Sequence, residues 1–153
     1  MLIHIIILAW GRSKLIYSEK MSELFGLSGD EIVQRMENYY DDNSDAEKKS
    51  WRVSLPKLIE VVRAAGLGNL YIATEYELPA GGRIDATLVG DDDNGKHHAL
   101  VIELKQWSRG GIEYYANNGF PTIKVNATNP YLSRHPVNQT NEYTSALIGN
   151  IHL

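Results

Sequence analysis

Apolar and polar positions alternate most cleanly between residues 70 and 105. Leu70, Ile72, Thr74 and Tyr76 alternate with Tyr71, Ala73, Glu75 and Glu77, which predicts a strand over 70–77. Pro79-Ala80-Gly81-Gly82 follows as a turn. Two apolar, β-branched runs, 83–89 and 99–105, then flank Asp91-Asp92-Asp93-Asn94-Gly95 and predict a β-hairpin. Upstream the spacing is mostly helical. A short strand is expected over 14–18, followed by a helix over 19–25 capped by Ser18 and ended by Gly26. Ser28-Gly29-Asp30-Glu31 opens a second helix to about Tyr40, with Ile32, Val33 and Met36 on one face. A third runs from about Asp45 to Ala65, its stripe formed by Trp51, Leu55, Leu58, Val62 and Ala65. Pro56 predicts either a kink in that helix or a break, with a new helix starting at the proline. Beyond 105 the pattern fades; Gly110-Gly111 and Asn117-Asn118-Gly119 interrupt it, and 122–125 reads as a short strand. His135-Pro136 leads into a last helix through Ile148, with Val137, Tyr143, Leu147 and Ile148 as its inner stripe. Helix, strand, strand, strand, helix is the order of an α/β or α+β fold, a mixed β-sheet flanked by helices.

Composition narrows this reading. The 153 residues suit one domain, and 43% hydrophobic content can build its core. There is no cysteine, which excludes disulfides and thiolate metal sites and agrees with a cytoplasmic location. Residues 2–10 are apolar apart from His4. That run is shorter than the roughly 20 residues of a membrane span and has no basic leader, so no membrane partner is expected. It is read as an edge strand or N-terminal extension within 1–13. The net charge of −4 argues against a simple nucleic-acid binder. It is unevenly spread, however: residues 1–95 carry 10 basic and 16 acidic side chains, residues 96–153 carry 5 and 3. No G-x-x-x-x-G-K-[ST] loop occurs, so the chain carries no nucleotide motor.

The hairpin holds the candidate chemistry. Asp85 lies inside its first strand. Glu103 and Lys105 are two apart on the second, so strand period would place them on one face. An Asp, a Glu and a Lys converging there suit phosphodiester hydrolysis. Mg²⁺ needs only one or two carboxylates besides water, and a fixed lysine charge can stabilise the phosphorane-like state. The plain alternative is a salt bridge across a solvated hairpin. Asp91-Asp92-Asp93 reads as a solvated turn, its spacing wrong for a calcium loop. His97 and His98 face opposite sides and read as structural or exposed. Trp107 either stacks on a base or covers the core. His135 orders the start of the last helix or contacts phosphate.

Asp85 followed by Glu103-Leu104-Lys105 resembles the PD-(D/E)XK nuclease signature, with Ile84 where the name has proline. Gln139-Thr140-Asn141-Glu142-Tyr143 resembles the Q-x-x-x-Y motif of the RecB-like branch. The ordered set Ser50-Trp51-Arg52-Val53-Ser54-Leu55, Glu75-Tyr76-Glu77-Leu78-Pro79, Arg83-Ile84-Asp85, Glu103-Leu104-Lys105-Gln106-Trp107 and His135-Pro136 with Gln139 and Tyr143 is similar to the nuclease-like region of bacterial Schlafen-related proteins. Those proteins continue into a helicase-type ATPase. The likeness spans 14–148. It implies a restriction-endonuclease-like core over 14–153, and it allows that the chain is a fragment of a longer protein. It also implies catalysis by Asp85, Glu103 and Lys105 with Mg²⁺ or Mn²⁺ as cofactor. Asp85, Glu103 and an upstream acid would hold the metal. Glu60 is the expected third ligand, with Glu75 and Glu77 as competitors. Gln139, Tyr143 and Gln106 would position a nucleic-acid substrate, DNA before RNA, and a helicase or ATPase domain would be the partner. The rivals are a catalytically inactive nucleic-acid-binding or docking module, and an oligomerisation domain using 2–8 as an edge strand.

Overall fold

The computed structural model describes residues 17–40, 44–78, 81–107, 112–117, 120–125 and 131–150. Their elements are β1 (Ser18–Lys20), α1 (Met21–Leu24), α2 (Gly29–Glu37), α3 (Asp45–Ala64), β2 (Tyr71–Glu77), β3 (Arg83–Asp91), β4 (His97–Ile102), β5 (Ile112–Asn117), β6 (Phe120–Val125), β7 (Tyr131–Arg134) and α4 (Pro136–Asn150). Strands β1 to β4 form one sheet in that spatial order, and β5 to β7 form a second. All described pairings are antiparallel. The expected mixed sheet is thereby corrected: the chain is a mixed α and β protein with a four-stranded antiparallel sheet flanked by helices. The turns between β2, β3 and β4 are too short for the crossover that parallel neighbours require.

Local chemistry explains the helix starts. Ser28 and Glu31 form a reciprocal capping box at α2, and Ser44 and Glu47 form another at α3. Pro56 neither ends nor splits α3, which runs unbroken from Asp45 to Ala64. Proline has no N–H to offer the carbonyl of Arg52 four residues back. Gly29, the first residue of α2, lies against that same carbonyl: a Cβ there would come within 2.4 Å of the Arg52 oxygen. Arg52 also pairs with Asp30 at 2.6 Å, so the proline site is where the two helices meet. The expected strand over 14–18 falls mostly outside the described residues, as does the apolar run 2–10. β1 occupies 18–20 instead, and α1 starts at Met21. Ser18 is paired with Ala73 across the ladder and does not cap a helix.

The main core lies between the helices and the sheet. α3 buries Trp51, Leu55, Ile59 and Val62, one residue off the predicted stripe at its third position, and Ala65, expected to end that stripe, is exposed just past the helix. They meet Ile72 on β2 and Ala86 and Leu88 on β3, beside Met21, Ile32 and Met36. A second cluster holds Tyr76, Leu78 and Ile84 under Tyr143, Ala146 and Leu147 of α4. Val137 and Ile148, expected inside, are 56% and 68% exposed. α4 covers only one end of the sheet, so the narrow stripe at 143, 146 and 147 suffices. Among the described residues no helix is long and apolar enough to cross a membrane.

Candidate functional site

Asp85 sits where two ladders are interrupted. On one side, Thr74 pairs with Ala86 and Tyr76 with Ile84, but the intervening Glu75–Asp85 pair is missing. Glu75 has φ +55°, a left-handed backbone that glutamate adopts at a cost of order 1–3 kcal/mol. On the other side, the β3–β4 ladder ends at Ala86 and Ile102, one pair short of Asp85. There the side chain of Asp85 replaces the ladder: its Oδ2 accepts the Leu104 N–H at 2.7 Å.

Glu103 and Lys105 therefore do not ride on the strand as expected, because β4 stops at Ile102. They still meet: the Lys105 ammonium donates to Glu103 Oε1. The Glu103 side chain is 3% exposed and that of Lys105 26%. Glu103 Oε2 is buried and accepts no hydrogen bond. Burial raises the pKa of Glu103 above the usual carboxylate range, and the negative charge of Asp85 adds to this; the hydrogen bond from Lys105 and the Gln139 amide pull it back. Burial also raises Asp85, against the Leu104 N–H and the charges of Lys105 and Arg83. The Lys105 nitrogen lies 5.8 Å from the centre of the Trp107 ring, within cation–π range.

α4 closes the site from the other side. Pro136 starts the helix, and His135 caps it: the Val137 N–H bonds to His135 Nδ1 at 3.2 Å. One turn on, Gln139 Nε2 donates to the Tyr143 hydroxyl at 2.9 Å. Tyr143 is seated over Gly82, where a Cβ would come within 3.1 Å of its ring. Gly82 has φ +97°, so glycine meets both the turn and the close approach. The two residues of the Q-x-x-x-Y pattern are thus bonded to each other, with Gln139 beside Glu103.

The other candidates fall elsewhere. Glu60 is exposed on α3, off its buried stripe, and Glu77 is exposed at the end of β2. Glu60 is corrected as the expected third ligand: mid-helix position did not bring it to the apolar face. Glu75 is buried, but its carboxylate is committed. Its Oε1 accepts from Trp51 Nε1 at 2.5 Å, and Arg83 Nε lies 2.6 Å from its Oε2. That second contact is a charge contact without hydrogen-bond alignment. Arg83 donates its other arm to Glu47 at 2.5 Å. Trp51, Glu75, Arg83 and Glu47 together brace the start of α3 against β2 and β3. Sequence reading missed this brace, although the Ser44-x-x-Glu47 capping box and an arginine two residues before Asp85 were both visible. Gln106 also belongs to bracing. Its amide donates to the Ser50 carbonyl at 2.8 Å and hydroxyl at 2.9 Å, which ties the segment after β4 to α3 and not toward the Asp85 cluster. Asp91 and Asp92 pair with His97 and His98 in the exposed hairpin turn, at 2.5 and 3.1 Å.

A divalent cation with oxygen ligands fits the Asp85–Glu103 pair on one observation: a buried carboxylate oxygen of Glu103 that accepts no hydrogen bond. Among the described residues no group of three or more His, Asp or Glu side chains is set to hold a metal. A cation here would rest on two carboxylates, and water would complete its shell. Family models, curated proteins and solved structures yield no match to this chain.

Proposed function

We propose that this chain is a metal-dependent nuclease domain that hydrolyses phosphodiester bonds, with DNA as its first substrate. What supports the reading is the meeting of Asp85, Glu103 and Lys105 around a buried carboxylate oxygen that accepts no hydrogen bond. These are also the residues marked by the PD-(D/E)XK resemblance. Asp85 and Glu103 would hold Mg²⁺ or Mn²⁺. When bound, such an ion activates water and neutralises charge developing on the phosphate. Lys105 supplies a positive charge near the phosphate that stabilises the same state. Gln139, held by Tyr143, orients Glu103. The test is cleavage of single- and double-stranded DNA in Mg²⁺ and in Mn²⁺, with wild type beside Asp85→Ala and Lys105→Ala. Cleavage lost in both folded variants supports the reading; cleavage unchanged in them removes the site. A second reading is a docking or nucleic-acid-binding module without turnover, consistent with the absence of a third acidic side chain at the pair among the described residues. Nucleic-acid binding by a wild type that cleaves nothing in either metal would select it.

A further inference from the structure

The ion pair between Lys105 and Glu103 has a consequence for metal binding. Glu103 is the buried partner and Lys105 the partly exposed one, so the acid is fixed and the base is the member free to move. Two carboxylates, Asp85 and Glu103, are served by one ammonium. Arg83 acts on Asp85 through its charge alone, because its two arms are taken by Glu47 and Glu75. Lys105 is therefore the one cation bonded directly to either carboxylate among the described residues. A doubly charged ion on Glu103 would share one carboxylate with the Lys105 ammonium. Like charges at that separation, away from bulk water, oppose each other strongly.

Lys105 keeps a second contact that does not depend on Glu103. The Trp107 ring is within cation–π range, and the side chain already reaches solvent. β4 has ended at Ile102, so no ladder holds Lys105. One residue on, Gln106 is tied to Ser50, which confines a rearrangement to the lysine side chain.

We propose that Lys105 is the resident counter-ion of Glu103 and gives it up when a divalent cation binds there, so that the lysine is released toward substrate only in the loaded site. The inference rests on the nuclease reading and adds an order to it: cation first, free lysine second. A lysine that stays on Glu103 throughout would be a structural ion pair.

The experiment uses the wild-type chain and reads no activity. Lysines are labelled with an amine-acylating reagent with and without saturating Mg²⁺, and each site is quantified by mass spectrometry. Exposed Lys57 serves as the internal reference. Calorimetry on the same protein measures Mg²⁺ binding. Labelling of Lys105 relative to Lys57 is expected to rise about fivefold with Mg²⁺, the factor that a partly exposed ion pair is worth. In Glu103→Gln, Lys105 should label fast without metal and ignore its addition. Mg²⁺ binding with Lys105 labelling unchanged or slowed overturns the inference and leaves the nuclease reading standing. Slow Lys105 labelling in a folded Glu103→Gln also overturns it. Absence of binding by Mg²⁺ and by Mn²⁺ alike overturns both, and calorimetry with each ion shows this separately.

Discussion

Arg83 and Asp85 stand two residues apart on one strand, and the charges around them are arranged to different ends. Around Arg83, the guanidinium is divided between Glu47 and Glu75, and Glu75 also receives the Trp51 indole N–H. Helix and sheet both contribute, and each carboxylate has a fixed partner from another element. Around Asp85, one ammonium serves two acids, and a buried oxygen of Glu103 accepts no hydrogen bond. A buried polar group without a partner costs about 1–3 kcal/mol. Glu75 Oε2 is likewise buried without a hydrogen bond, but it lies 2.6 Å from the Arg83 guanidinium, whereas no ion pair reaches Glu103 Oε2 among the described residues. The first cluster is a brace; the second is the one on which the proposed binding site rests.

The contrast breaks most sharply in activity. Asp85→Asn should lower DNA cleavage by about 10²–10³-fold. Its unfolding free energy at pH 8 should stay level or rise by up to about 1 kcal/mol, since asparagine keeps an acceptor for the Leu104 N–H and removes a charge from beside Glu103. Urea denaturation beside the cleavage assay checks both. A large loss of stability would place Asp85 with the brace.

Arg83→Met should do the reverse. It leaves Glu75, with a side chain 7% exposed, without its counter-charge. The expected cost is about 3 kcal/mol in urea unfolding. A cost near zero would mean that the network does not hold α3 to the sheet.

Acid titration sharpens the same point. Burial pushes Glu75 up to about 7, against the Trp51 hydrogen bond and the Arg83 charge. The folded state therefore binds this proton more tightly than the unfolded chain does. The resulting stability is complete below the unfolded value near 4.5 and is lost as pH rises through about 7. Between pH 5 and pH 8, wild type should lose about 2 kcal/mol more than Glu75→Gln does. Asp85 and Glu103 shift in the same direction in both proteins, so the difference isolates Glu75. Parallel curves would show that Glu75 titrates normally.

The smallest effects are expected at residues that the structure removes from the site. Gln106→Ala should cost about 1 kcal/mol or less through its bonds to Ser50, with cleavage retained. Glu60→Gln should change neither stability nor cleavage. A hundredfold loss of cleavage in either variant would put that residue back beside Asp85.

Much of the order of elements was legible from short-range chemistry. Ser28 and Glu31 announce α2, and Ile32, Val33 and Met36 are buried together as their spacing predicts. The turn with Gly95 at φ +74° joins β3 and β4 as expected. Pro136 and His135 start α4 as read. The misses share a cause. Pro56 left a kink and a break both open because Gly29, which packs on the Arg52 carbonyl that the proline leaves free, is invisible to a local window. The α4 stripe was drawn too wide because its extent depends on how much sheet it covers. Glu60 was ranked above Glu75, since helix position and strand alternation say nothing of a backbone turned to φ +55°.

The sequence by itself determined the helices and the strands β2, β3, β4 and β6, though not β5 or β7, and it assembled Asp85, Glu103, Lys105, Gln139 and Tyr143 as the candidate group. Capping, turn chemistry and apolar period act within a few residues, and motif resemblance needs only order along the chain. The tertiary structure alone decided that the sheet is antiparallel and that both ladders fail at Asp85. It also decided that Gln106 and Glu75 brace α3 while Glu103 is left with an unbonded oxygen. Those outcomes depend on which distant partner reaches each polar group first, and burial sets the cost of leaving one without.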